Sequence, residues 1–247
     1  MLGSFGNNLY LCNRNPPLYA NYLGQVPRRG SFTLIKTMEK KKVFFTIGHS
    51  NHSHEEFLRL LQTHSITCVV DVRSIPASKH SPQFNQDILE GFLKYHHINY
   101  QFFGREFGAR RTDSYNQQGQ VDFELAVKTD LFQQGIKHIN TLLEVNRVTL
   151  MCSEANPLEC HRFALVARYF HDQGIEILHI LKDASLATHK QLEKEMINQY
   201  LHVRKPLLAD VDELFGTYTD EDQLRDAYRL KNIEIGYRQQ QEEDYNM

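Results

Sequence analysis

The chain has 247 residues, of which 41% are hydrophobic and 23% charged, proportions that exclude wholesale disorder and fibrous repeats. No apolar run is long enough to cross a bilayer, and four cysteines are too few to scaffold a chain of this size, so they are expected as reduced thiols. A formal charge of −2 excludes the strongly basic footprint of a duplex-binding protein.

The charge is unevenly spread. Residues 1–42 carry a net +6, residues 43–204 a net −2 and residues 205–247 a net −6. Oppositely charged flanks around a near-neutral body predict one core domain, residues 38–204, with appendages. Residues 1–37 are rich in Gly and Pro, hold no acid and show no periodicity, so they are expected as a disordered leader. The Arg28-Arg29 pair is followed by too short an apolar stretch for a twin-arginine signal. Residues 205–247 are expected as an acidic helical extension, its second helix starting at Thr219.

From Val43 the chain alternates strand and helix. Residues 43–47 form a short apolar run ending at Gly48, a buried strand. Ser53 and Glu56 predict a capping box for a helix with Phe57, Leu60 and Leu61 on one face. Residues 66–70 read as a second strand, and Asn85 as the cap of a helix carrying Leu89 and Leu93. Residues 98–103 read as a third strand, followed by a long polar loop from Gly104 to Val121. A helix with Ile136 and Ile139 leads into a fourth strand, 147–151, ending at Cys152. Asn156, Pro157 and Glu159 predict a capped helix running to about Gln173, where Gly174 ends it. Residues 175–181 make a fifth strand, and Ser185 is expected to open the last core helix. Such alternation implies an α/β fold: three layers, a mostly parallel sheet of about five strands with crossover helices, and a helical C-terminal extension.

Ligands of open parallel sheets bind beyond the carboxyl ends of the strands. His49 follows the first strand, Asp71, Arg73 and Ser78 the second, and Cys152 and Glu154 the fourth. Cys152, before an expected helix start, is placed for a lowered pKa and nucleophilic work; the alternative is a small buried hydrophobe. His49 and Glu154 are candidates for proton transfer. Asp71 and Arg73 share a face, so Arg73 either binds an anion with Asp71 orienting it or acting as a base, or the two form a structural ion pair. Arg162 can add positive potential near Cys152 and is expected, with Arg73, Ser78 and Arg110, to bind an anionic substrate. Cys160 and His161 are a possible second thiol and ligand: with Cys152 they offer a redox pair without the C-x-x-C spacing, or a zinc site, with His49 as a further ligand, at a spacing that matches no closed zinc motif. Cofactors are therefore expected to be absent, zinc remaining an alternative. Arg105, Arg110 and Arg111 lie among aromatics in the long loop, a pattern that serves a substrate lid or a single-strand groove.

Several of these stretches together resemble the DUF488 family. They are Thr46-Ile47-Gly48-His49-Ser50, Val70-Asp71-Val72-Arg73-Ser74-Ile75-Pro76-Ala77-Ser78, Gln83-Phe84-Asn85, and Leu150-Met151-Cys152-Ser153-Glu154 with Cys160-His161-Arg162 and His179-Ile180. Glu106-Phe107-Gly108-Ala109-Arg110-Arg111 is similar to the family's Leu-Gly-Gly-Arg loop but departs from it at Phe107 and Ala109. The resemblance, in one order over residues 43–182, implies a bacterial-type cytoplasmic α/β domain with one site and no assigned reaction. Asp-x-Arg on one strand and a cysteine ending another are also similar to rhodanese-like sulfurtransferases, at the level of fold alone. The expectation is a cysteine-dependent enzyme acting on an anionic small molecule, nucleotide or nucleic-acid fragment. The alternatives are a non-catalytic nucleic-acid or nucleotide-binding module and a zinc-stabilised binding domain. No membrane partner is expected, and no protein partner is indicated.

Overall fold

A computed structural model describes residues 42–208 and 219–239. The leader and part of the acidic tail lie outside the described residues. Strands β1 (Val43–Gly48), β2 (Cys68–Asp71), β3 (Asn99–Phe102), β4 (Val148–Cys152) and β5 (Glu176–Ile180) are mutually parallel. The short β6 (Leu186–Thr188) runs antiparallel to β5, and the sheet order is β3-β2-β4-β1-β5-β6. The continuous apolar runs of β1, β2 and β4 follow from burial on both faces, the rule for parallel sheets.

Side chains alternate between two cores. Phe45, Ile47, Val69 and Met151 face α1 (His54–Thr63) and α2 (Gln86–Tyr95), which contribute Phe57, Leu60, Leu61, Leu89 and Leu93. Phe44, Val70, Val148 and Leu150 face the opposite layer. That layer holds α3 (Gly104–Phe107), α4 (Phe123–Ala126), α5 (Asp130–Val145) and α6 (Arg168–Asp172). Helices α7 (His189–Leu208) and α8 (Asp220–Ile235) complete it, with Leu192, Met196, Ala227 and Tyr228 buried in the same core. Thr219 caps α8 with a full capping box to Asp222.

Four local expectations need correction. The helix expected after Asn156 is not continuous: Pro157–Glu159 is a 3-10 turn, Cys160 is extended, and Arg162–Ala167 is a π-helix continuing into α6. Ser185 does not open the last helix, because β6 intervenes and α7 starts at His189. Asn85 occupies the cap position of α2, but its Oδ1 accepts from the Ser78 N–H at 2.7 Å, holding the loop after β2 instead. The Ser53 cap forms, while Glu56 turns to Arg59.

Connections leaving β1 and β4 set the site. These strands are neighbours, yet β1 leads through α1 toward β2 on one face, and β4 leads through the π-helix and α6 toward β5 on the other. Neighbouring strands whose connections diverge to opposite faces open a crevice at their carboxyl ends.

Candidate functional site

Gly48 and Cys152 are partners at the ends of β1 and β4. Their pairing runs on, with the His49 N–H donating to the Cys152 carbonyl at 2.8 Å and the Ser50 N–H to the Ser153 carbonyl at 2.9 Å. A Cβ at residue 48 would lie 1.9 Å from the Glu154 carbonyl oxygen, so the close approach of the two exits requires glycine.

Beyond these exits lies a cleft of about 310 Å³. Its walls include Ser74 and Ser78 after β2, Arg110 of the long loop, and Cys152, Ser153 and Glu154 after β4. Arg110 is exposed, and its backbone N–H donates to the Ser74 hydroxyl at 2.8 Å. Another cleft, of about 330 Å³ beside α8, mixes Arg168 and Arg229 with Asp122 and Glu124 and contains no thiol or histidine.

Cys152 and Cys160 are free, and their sulfurs and the His161 Nδ1 all lie within 4.8 Å of one another. The Nδ1 is 3.9 Å from the Cys152 sulfur and 3.8 Å from that of Cys160. His161 Nε2 lies 3.0 Å from the Val72 carbonyl, which requires its proton there and aims the Nδ1 lone pair at the sulfurs when the ring is neutral. Only Cys152 of the two thiols lines the cleft; Cys160 lies behind it.

The expected lowering of the Cys152 pKa falls on Cys160 instead. The helical run begins after Cys160, and the Arg162 N–H donates to the Cys160 sulfur at 3.4 Å. Burial opposes charge on Cys160, but the Cys152 thiol donating to it, the Arg162 guanidinium and His161 together hold it well below the usual thiol range. Hydrogen bonding to Cys160, then burial, keep Cys152 well above that range. Burial would lower His161, but the neighbouring Cys160 thiolate raises it. Burial, then Cys160, also lift the carboxyl of Glu154, whose Oε2 is buried without a hydrogen-bond partner.

Arg162 is 0% exposed. It donates to the carbonyls of Glu154 at 2.7 Å and Ala155 at 3.1 Å, and its Nε has no partner. No carboxylate lies within ion-pair distance of it among the described residues, and its charge favours the thiolate of Cys160. It thus stands beneath the thiols rather than in the cleft.

Asp71 and Arg73 form a buried ion pair, 2.6 Å at its closest, extended by the Tyr100 hydroxyl donating to Asp71 and by Arg73 donating to the Phe84 carbonyl. His49 accepts from Arg73 at 3.2 Å through Nε2, donates through Nδ1 to the Ser50 carbonyl, and stacks on Phe84. Burial, reinforced by Arg73, lowers its pKa to about 4. These three residues therefore brace the cleft wall. His49 is not in the group of donors that can share one metal ion, which among the described residues is Cys152, Cys160 and His161. Arg111 is also taken up, by Asp113, the Glu106 carbonyl and Thr129. Arg105 and Arg110 remain exposed.

The fold and site define a three-layer α/β protein with a cysteine pair at the carboxyl edge of a parallel sheet. Residues 53–169 match the family model described as "Domain of unknown function DUF488". The segment holds Asp71, Arg73, Cys152, Glu154, Cys160, His161 and Arg162; His49 precedes it and His179 follows it. No curated protein and no solved structure matches the chain. Among the described residues no helix is long and apolar enough to cross a membrane.

Proposed function

We propose that the protein is an enzyme that uses the Cys152 sulfur as a nucleophile on a small anionic substrate. One observation carries this reading: Cys152 lines a cleft that also presents the exposed Arg110, and it is backed by Cys160, His161 and Arg162. Arg110 supplies the anion contact, with the Ser74 and Ser78 hydroxyls beside it. Glu154, whose carboxylate burial makes more basic, takes the Cys152 proton as attack begins. A cleft of this size suits a small molecule.

Alkylation of the folded protein with anionic iodoacetate and neutral iodoacetamide, followed by peptide mapping, tests the reading. We expect Cys152 to be the thiol of the pair modified first, with a preference for iodoacetate that Arg110→Ala removes. Equal rates with both reagents, or an inert Cys152, contradict it. A second reading rests on the same donors: Cys152, Cys160 and His161 are close enough to share a zinc ion. Stoichiometric zinc in the purified protein, with all three donors required for its retention, favours that reading.

A further inference from the structure

Two thiols, rather than one, stand at this site, and they differ in access. Both are buried, Cys152 at 3% and Cys160 at 1% exposure, but only Cys152 lines the cleft. We propose that Cys152 and Cys160 work as a dithiol–disulfide couple that reduces low-molecular-weight disulfides bearing anionic groups. Cys152 is the attacking thiol and Cys160 the resolving one. The proposal rests on the assignment of Cys152 as the substrate-facing nucleophile and extends it to a substrate class and a redox role for Cys160.

The geometry supports the step. Both sulfurs are free and lie within 4.8 Å, with no residue covalently engaged between them. Closing to a disulfide bond of about 2 Å needs a local shift. Cys160 can supply it, because it is the extended residue between the Pro157–Glu159 turn and the π-helix, outside either helix. Single stretches of π-helix occur frequently at functional sites. Here the widened turn follows directly on His161 and carries Arg162 beneath the sulfurs. The buried guanidinium, lacking a carboxylate partner, is a fixed countercharge for a thiolate in the pair.

The pair holds one thiol and one thiolate when reaction starts. Glu154 takes the Cys152 proton, and the resulting Cys152 thiolate attacks one sulfur of the substrate disulfide. A Cys152–substrate disulfide forms, the substrate S–S bond breaks, and the first half leaves as a thiolate. Glu154 gives that proton to the leaving thiolate, and the Cys160 thiolate attacks the Cys152 sulfur and expels the second half as a thiolate that solvent protonates. Two electrons pass from the dithiol to the substrate, which leaves as two thiols, and Cys152–Cys160 is left as a disulfide. Two equivalents of a small thiol, themselves becoming a disulfide, restore the dithiol. Arg110 beside the cleft favours substrates whose halves carry a carboxylate.

The test uses full-length reduced protein, freed of reductant, and two probes: dithiodiglycolate, which is anionic, and hydroxyethyl disulfide, which is neutral. The wild-type protein is expected to lose two thiols per chain with no retained adduct, and digestion should recover a Cys152–Cys160 crosslink. Cys160→Ser should trap a mixed disulfide on Cys152. The anionic probe should react about tenfold faster than the neutral one, and Arg110→Ala should erase that difference. A wild-type protein that keeps a stable adduct on Cys152 overturns the couple and leaves the nucleophile reading standing. A protein whose Cys152 reacts with neither probe nor alkylating agent overturns both. Stoichiometric zinc that shields both thiols from the probes also overturns the couple.

Discussion

Arg73 shows how one side chain is committed before any ligand arrives. Its guanidinium spans Asp71, the Phe84 carbonyl and His49, and it is 4% exposed. Breaking a buried pair by removing one charge costs more than the pair is worth, because the other charge is left unpaired. Asp71→Asn should therefore destabilise the fold by about 3–5 kcal/mol, read as a lower denaturation midpoint. Cys152→Ser replaces a sulfur at the margin of the core, 3% exposed and lining the cleft, with a smaller hydroxyl and leaves no charge unpaired. It should leave the midpoint within about 1 kcal/mol of wild type while abolishing modification at the cleft. Equal destabilisation by the two substitutions would mean that Cys152 is structural. The cysteine at the end of β4 was legible as a reactive candidate because it follows a continuous apolar strand. Its partner was harder to find. Cys160 lies eight residues on, and only the interrupted helix brings its sulfur beside Cys152.

At the scale of elements, the site depends on how closely β1 and β4 can exit together. Gly48 lets the Glu154 carbonyl pass where a methyl group would collide with it. Because the obstacle is backbone, relief requires the β4 exit to move. Gly48→Ala should cost more than about 2 kcal/mol and slow Cys152 modification at least tenfold, measured by urea unfolding and by alkylation kinetics. Normal alkylation in a stable variant would show that the exits tolerate separation. The strands themselves were readable from their apolar runs. The break at Cys160 was not, because Asn156-Pro157 and Glu159 carry the usual signature of a helix start. Here a 3-10 turn uses those caps, and the main helical run starts one turn later. β6 was missed for a similar reason: three residues gain their strand pairing from β5 across a short turn, with no periodicity of their own.

Across the whole molecule, a buried hydrogen-bonded chain ties the sheet to the C-terminal helices. Thr46 on β1 bonds His179 on β5 at 2.8 Å, and His179 bonds His189 at the start of α7 at 3.1 Å. His189 reaches the Tyr228 hydroxyl of α8 at 2.8 Å, and that hydroxyl donates to Glu193 at 2.9 Å. Burial, then Arg162, lower His179 to about 3, and burial, then His179, hold His189 well below its ordinary value. Both groups are thus neutral when folded but take up protons when unfolded below about pH 6.5. The unfolded state binds more protons in that range, so stability is full above it and falls as the pH drops toward about 3. At about pH 5 the loss from His179 alone should be about 2 kcal/mol. Urea unfolding at about pH 7 and pH 5 checks this, and His179→Gln should flatten the difference. An unchanged slope would mean that other groups govern acid sensitivity.

The sequence by itself determined the α/β class, the five parallel strands that form it and the edge at which the polar candidates lie. Those features follow from local apolar runs and from the rule that such sheets bind ligands at their carboxyl ends. Only the tertiary structure decided which polar groups are free. Arg73, His49 and Arg111 read as binding candidates in one dimension but are occupied by partners from other elements. Cys160, His161 and Arg162, adjacent in sequence, take three different roles beside Cys152 because a π-helix begins there. Charge and hydrogen bonding depend on distance through space, and the fold sets those distances.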